Sequence, residues 1–437
     1  MKKIIRLIVV MVTLFALTVS SVSAENLTKL GREVLSSKDG WAAYGEGTTG
    51  GSAADEEHVF TVTKKSELIK ALDDASDIPK IIYVKGTIDI NVDENNNPMK
   101  AEDYADPAYD FDDYLEVYSP DVWGYEKEVD GLLEEARARS QKNQENNIVL
   151  HVGSNTTIFG LGDDATIVGG ALVLDGVENV IIRNIEFEAP LDFFPQWDPT
   201  DGEYGEWNSD YDNVTITDNS HHIWIDHNTF SDGENVDSDF GTYFDRLYQR
   251  HDGLLDIKNG SNYVTVSYNV FKDHDKVTIV GSSDSKTSDR GKLKVTFHHN
   301  YYKNLNQRLP RVRFGEVHVY NNYYEFSKDA NYEFGYVWGV GKESKIYVEN
   351  NYFNFDWDVE LSKIIKDWKG TTIFETGSMV NGSSKHHKVD LIAEFNKKNT
   401  VQLNENVDWT PKLYERIDPT QSVPAKVKAH AGAGNLH

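Results

Sequence analysis

The parallel β-helix, an all-β solenoid, is the fold class that this 437-residue sequence predicts, and three observations carry the prediction. A short strand recurs as NVIIRNIEF (179–187), HIWIDHNTF (222–230), YVTVSYNVF (263–271), KVTFHHNYY (294–302), EVHVYNNYY (316–324) and KIYVENNYF (345–353), each alternating β-branched or aromatic residues with polar ones. Five of these place an asparagine two positions before a Phe or Tyr: Asn228, Asn269, Asn300, Asn322 and Asn351. Successive asparagines lie 41, 31, 22 and 29 residues apart, which reads as a coil of 22 residues with insertions at one loop. Stacked coils lie about 4.8 Å apart, so equivalent side chains form ladders and asparagines can hydrogen-bond along the stack. The period is short for a propeller blade, and the leucine framework of a horseshoe is missing. A β-sandwich or propeller with irregular loops is the alternative.

The remaining elements follow from the N-terminus. Lys2, Lys3 and Arg6 precede an apolar run from Leu7 to Val19 and then Val22-Ser23-Ala24, the pattern of a cleaved secretory leader over residues 1–24. Residues 25–437 are expected to form one secreted, extracellular, monomeric domain with no membrane span. SELIKALDDA (66–75) and GLLEEARARSQKN (131–143) read as helices, the first placed to cover the open end of the coil stack. Residues 93–130 read as a long acidic, aromatic surface loop, and the glycine-rich stretch 151–170 as earlier coils. After residue 355 the ladder is expected to fade, and the Ala-, Gly- and Lys-rich tail 424–437 to be poorly ordered.

Composition narrows the function classes. The chain has no cysteine, so disulfides cannot hold it together. A formal charge of −27 argues against nucleic acid or an anionic membrane as partner. An anionic substrate remains open, because the local field decides that. Two clusters and one lysine define the field. Residues two apart on a strand point the same way, so Asp210 and Asp212 (WNSDYDNVTI) are expected to share a face, and adjacent coils can bring Asp252 and Asp256 (RHDGLLDIKNG) beside them. Carboxylates without cysteine favour a hard, oxygen-liganded cation, so Ca²⁺ fits better than zinc. Solvated loop aspartates in a very acidic protein are the plain alternative. Arg308, Arg311 and Arg313 fall within NQRLPRVRFG, where fixed guanidinium groups suit carboxylate recognition; their alternative is to offset the protein's own acidity. Lys276, in KDHDKVTIVG, is bland alone. The histidines between 221 and 299 show no HExxH pattern and read as hydrogen-bonded ladder positions.

At these residues the sequence resembles the pectate lyases of polysaccharide lyase family 1, of the Bacillus type. WIDH (224–227), RHDGLLD (250–256), DHDK (273–276), GSSDSKTSD (281–289), QRLPRVRFG (307–315) and FFPQWDPTDGEYGEWNSDYDN (193–213) carry the resemblance, which runs from about Leu35 to Asn354. It implies a right-handed parallel β-helix with a groove formed by long loops, primary Ca²⁺ ligation by Asp212, Asp252 and Asp256 with Asp210 contributing, Arg308 as catalytic base, and Lys276 and Arg313 as binders of substrate carboxylates. Asp226 and His227 take a structural, hydrogen-bonding part in this reading. The implied reaction is calcium-assisted β-elimination on polygalacturonate (pectate). Arginine is a poor base near neutrality, so Lys276 or hydroxide stands as an alternative proton acceptor. A pectin lyase acting on methyl esters, a polygalacturonase-type hydrolase and a non-catalytic β-helix binder are the competing functions.

Overall fold

β-Branched and aromatic residues on alternate positions cannot bury both faces of a lone strand, and here they bury one face by coiling. The structure is a computed structural model and describes residues 28–73, 77–382 and 384–436; the leader expected over residues 1–24 lies outside the described residues. Each coil contributes strands to three faces of a right-handed parallel β-helix. The first face includes Glu178–Arg183, His221–Asp226, Asn262–Ser267, Val295–His298, Glu316–Tyr320, Lys345–Glu349 and Ile373–Thr376. The second includes Glu186–Glu188, Thr229–Ser231, Val270–Lys276, Tyr301–Gln307, Tyr323–Phe326, Tyr352–Phe355 and Met379–Val380. Eight strands form the third, among them Val214–Thr217, Leu255–Ile257, Ile279–Val280, Arg311–Val312 and Trp338–Gly341. The short strand Val59–Val62 starts the stack, followed by two long strands, Lys80–Asp89 and Thr156–Val168.

The pairing is parallel and in phase. Val264, Val295, Val317, Ile346 and Ile373 are register partners in succession, and all are fully buried. Inside the second face, Phe187, Phe230, Phe271, Tyr302, Tyr324 and Phe353 stack with centroids 4.6–5.2 Å apart. This is the coil repeat imposed on aromatic rings, and it adds offset-stacking energy to the burial of large apolar area.

The expected asparagine ladder forms at the corner between the first two faces. Asn228, Asn269, Asn300, Asn322 and Asn351 are fully buried. The side-chain carbonyl of Asn269 accepts from the main-chain N–H and the amide of Asn228 at 2.9 and 3.1 Å. The same pair of bonds repeats up the stack to Asn351. Each amide also donates to a carbonyl of an earlier coil, for instance Asn300 to Val266 at 2.9 Å. The residue before each of these asparagines has positive φ: His227 51°, Tyr268 51°, His299 54°, Asn321 52° and Asn350 49°. A left-handed residue costs backbone energy, and the bend it makes turns the buried asparagine into the ladder.

Both ends of the stack are covered. Leu68, Ala71 and Leu72 of the helix Lys65–Leu72 enter the main core at the N-terminal end, as expected. At the other end the helix Leu391–Lys398, capped by Asp390, buries Leu391, Ile392 and Phe395. The second expected helix runs Leu132–Ile148.

Three expectations are corrected. Residues 93–130 hold the short helices Ala101–Tyr104, Phe111–Val117 and Pro120–Trp123, because Tyr114 and Tyr118 pack with Trp197 and Trp207 in a second aromatic core. The coil does not fade after residue 355: Ile365–Trp368, Ile373–Thr376 and Met379–Val380 continue it, with Ile365, Ile373 and Met379 buried. The tail forms the helix Val423–His430, whose Val423 and Val427 pack on Tyr323, Tyr352 and Met379. Its composition hid a narrow apolar edge that only a neighbouring surface makes useful.

Replacing Asn300 by alanine takes the acceptor from the buried main-chain N–H of Asn269 and one donor each from the Val266 carbonyl and Asn322 Oδ1. It is expected to destabilise the protein by roughly 2–4 kcal/mol, read as a lower chemical-denaturation midpoint, whereas alanine at exposed Asn406 is expected to change it little.

Candidate active site

The third face and the turns leading into it bring the predicted residues together. The Asn213 N–H donates to the Gly253 carbonyl at 3.2 Å, Gly253 bridges Lys276 in parallel, and Lys276 is the register partner of Gln307. Asp212, Asp252, Lys276 and Arg308 therefore stand on four successive coils, about 4.8 Å per step.

Two of the aspartates meet at Gly253. A Cβ there would lie 2.5 Å from Asp212 Oδ1 and 2.9 Å from Asp256 Oδ1, so glycine is required for the approach. Both carboxylates are buried, and Lys258 Nζ reaches them at 3.2 and 3.5 Å. Asp212 also takes bonds from Gly253 N (2.9 Å) and Thr215 Oγ1 (2.6 Å), and Asp256 from Ile279 N (3.0 Å). Burial, backed by Asp212 and Asp252, pushes the Asp256 carboxyl up to about 7 despite Lys258. Asp252 turns its carboxylate to Lys276, Oδ1 to Nζ 3.5 Å. Asp210, on the exposed rim, does not sit beside Asp212 on a strand as the alternation implied; its main-chain N–H donates to Asp192 at 3.2 Å. Its carboxyl is pushed up to about 6 by the surrounding protein and then by Asp192, Asp252 and Asp212.

Among the described residues, no group of three or more His, Cys, Asp or Glu is drawn together closely enough to hold a metal ion. Like charges spread apart and take ammonium partners. The donor set still fits a hard divalent cation: two buried carboxylates converge on one glycine and share the single ammonium of Lys258, and a third lies one residue from that glycine.

The basic side is a cleft of about 720 Å³ lined by Lys276, Arg308, Arg311, Arg313, Arg246 and Trp368 among others. Arg308 follows Gln307 directly and has φ 63°. Burial pulls its guanidinium down, yet Asp252 and Asp256 outweigh that and hold it above its ordinary value. Its Nε is buried without a hydrogen-bond partner. Arg313 is fixed by Asp284, Nε to Oδ1 2.8 Å, and by the Gly281 carbonyl at 2.8 Å. Lys369 braces Asp284 at 2.7 Å. Arg311 stacks on Trp368, 3.9 Å from the ring centroid, and burial with Arg313 beside it lowers Arg311 to about 10.

Asp226 and His227 lie apart from this cleft. Asp226 binds Arg183 Nε at 2.8 Å, His227 Nδ1 at 2.6 Å and Ser267 Oγ at 2.6 Å, the hydrogen-bonding part expected of them. Sequence reasoning passed over Lys258, Gly253 and Trp368. Lys258 lies two residues after Asp256, a signal that was present; Trp368 comes from a later coil and carried none.

A coil stack holding carboxylates against a strip of fixed cations defines a β-helix protein that handles a linear polyanion. The family model described as pectate lyase matches residues 15–106 and 116–436. The pectate lyase of Bacillus subtilis (strain 168) is 51% identical over 415 residues, 94% of this chain and 96% of that protein. The solved thermostable pectate lyase PL 47 is similar with TM-score 0.90 and 58% identity, covering 93% of this chain and 100% of the other. A pectate lyase solved bound to a hexasaccharide has TM-score 0.88 and 50% identity with the same coverage. The chain belongs to the pectate lyase family and is a polysaccharide lyase.

A carboxyl whose folded-state value is raised binds its proton more tightly than in the unfolded chain. Its stabilising contribution is full below the ordinary 3.8 and is lost as pH rises toward about 7. In chelator, thermal melting is therefore expected to fall across pH 4–7, with Asp256→Asn flattening that slope.

Proposed function

We propose that this enzyme cleaves de-esterified polygalacturonate by β-elimination with Ca²⁺ as cofactor, and that it acts as a secreted monomer. The observation that carries this reading is the succession Asp212, Asp252, Lys276 and Arg308 on adjacent coils, with Arg308 in the field of Asp252 and Asp256.

Asp212, Asp252 and Asp256 would hold the cation, with Asp210 contributing from the rim. A Ca²⁺ ion held there would supply positive charge against the carboxylates of both protein and substrate. With its carboxylate turned to the cation, Asp252 would release Lys276, whose ammonium, 3.5 Å away, would then be free for a substrate carboxylate. Arg313, held rigid by Asp284 and Gly281, receives the same or a neighbouring carboxylate through its remaining N–H groups. These cations oppose the charge that develops beside C6 as the C5 proton leaves. Arg308, having first released a proton to solvent, takes the C5 proton on its neutral guanidine nitrogen; the C5–H electron pair forms the C4–C5 double bond, and the C4–O bond breaks with the oxygen taking a proton from solvent. Water is not added, so the product is unsaturated.

An arginine base needs its proton loosened. The carboxylates that hold Arg308 protonated are two of the residues assigned to the cation, so loading them removes that support and leaves burial acting in the opposite direction. An uncharged methyl ester would leave Lys276, Arg313 and the aspartates without a function, which disfavours pectin lyase.

Polygalacturonate incubated with the enzyme is expected to gain the ultraviolet absorbance of a C4–C5 double bond. Chelation abolishes the gain and Ca²⁺ restores it. Arg308→Ala and Asp252→Ala are expected to lose about 10²–10⁴-fold in kcat, and full wild-type rate in Arg308→Ala would remove it from the chemistry. With saturating Ca²⁺, the wild-type rate is expected to rise from pH 7 into the alkaline range; a profile that falls there assigns the proton to another group.

A further inference from the structure

The segment that carries Asp252 and Asp256 is anchored from beneath by a buried charged network that the chemistry above does not use. His274, fully buried, places Nδ1 2.5 Å from Asp232 Oδ1 and Nε2 2.8 Å from the main-chain carbonyl of Asp252. Asp232 is 2% exposed, and its other oxygen accepts from Tyr332 Oη at 2.5 Å. The Tyr332 hydroxyl in turn accepts from Asp237 N at 2.9 Å. Asp237 Oδ1 accepts from Arg250 N at 2.9 Å and lies 2.8 Å from His251 Nδ1. The network thus grips both sides of Asp252: His251 and Arg250 just before it, and the Asp252 carbonyl itself.

Its chemistry is directional. A carbonyl can only accept and an ionised carboxylate can only accept, so both His274 nitrogens must donate and the ring is an imidazolium. Charge-assisted bonds of this kind are short and fix orientation. His274 also shares the strand Val270–Lys276 with Lys276, whose ammonium faces the Asp252 carboxylate at 3.5 Å. One strand therefore holds the main chain of Asp252 through His274 and its side chain through Lys276. A buried ion cluster is weak evidence for stability, because desolvation offsets much of the attraction. It does set one geometry.

We propose that His274, braced by Asp232 and Tyr332, is a positioning residue that fixes the Asp252 carbonyl so that Asp252 and Asp256 present their carboxylates to the cation. The inference rests on the calcium reading given above.

The test is Ca²⁺ binding followed by calorimetry and by the Ca²⁺-induced rise in melting temperature, on full-length wild type, His274→Gln, Tyr332→Phe and His318→Gln. His318 is equally buried and pairs with Glu349 at 3.0 Å on another face, so its replacement reports the generic loss of a buried histidine. His274→Gln is expected to weaken Ca²⁺ binding about 10- to 100-fold, and Tyr332→Phe in the same direction by less. His318→Gln is expected to lower the melting temperature with Ca²⁺ affinity unchanged. Should His274→Gln not fold, Tyr332→Phe, which removes one hydroxyl and keeps the ring, reads the same effect. Wild-type Ca²⁺ affinity in each folded variant of the network overturns the inference. Wild type that binds no Ca²⁺ overturns the calcium reading itself, a separate result.

Discussion

Everything in this molecule depends on parallel strands meeting in phase from coil to coil, and the buried asparagine ladder is the interaction that enforces it. A parallel stack gains backbone hydrogen bonds in any register. A slip of one residue would turn Val264, Val295 and Val317 outward, but an apolar pattern alone tolerates a slip of two. The ladder does not, because each asparagine's carbonyl must meet the main-chain N–H and the amide of the asparagine one coil away. An error leaves several buried polar groups unpaired at once, each costing about 1–3 kcal/mol. The aromatic stack inside the second face repeats the same register in apolar form.

That register delivers the active site. Residues distant in sequence become neighbours because their coils are neighbours, so Asp212 and Arg308 are separated by three steps of the stack. The scaffold is rigid where the chemistry needs precision and irregular where it needs reach. Insertions between coils supply the antiparallel pairs Gln196–Asp198 with Glu206–Asn208 and Thr242–Tyr243 with Arg246–Leu247 beside the cleft. They also account for the uneven spacing of the ladder.

Charge explains how a protein of −27 can serve an acidic polymer. The cleft concentrates guanidinium and ammonium groups at one place, and the buried aspartates beside them are the groups proposed to take a cation. The arginines are not equivalent. Arg313 is locked by Asp284, Arg311 is spread on Trp368 and lowered by burial and Arg313, and Arg308 is held above its ordinary value by Asp252 and Asp256. Sequence proximity placed the three in one strip, and their different neighbours, drawn from different coils, separated their characters.

By itself the sequence determined the coil, its ladder and the helix over the N-terminal end, since those follow from local alternation and from a repeat that each strand carries within nine residues. Motif resemblance also located the aspartates, Lys276 and the arginines. Only the tertiary structure decided that residues 93–130 and the tail fold as helices, because Tyr114, Tyr118, Val423 and Val427 gain apolar partners from distant segments. Only the tertiary structure placed Lys258 between two aspartates, turned Asp252 toward Lys276 and set His274 beneath it. The division has one physical cause: strand periodicity is written in neighbouring residues, whereas the field at a buried carboxylate is summed over whatever the fold brings within a few ångströms.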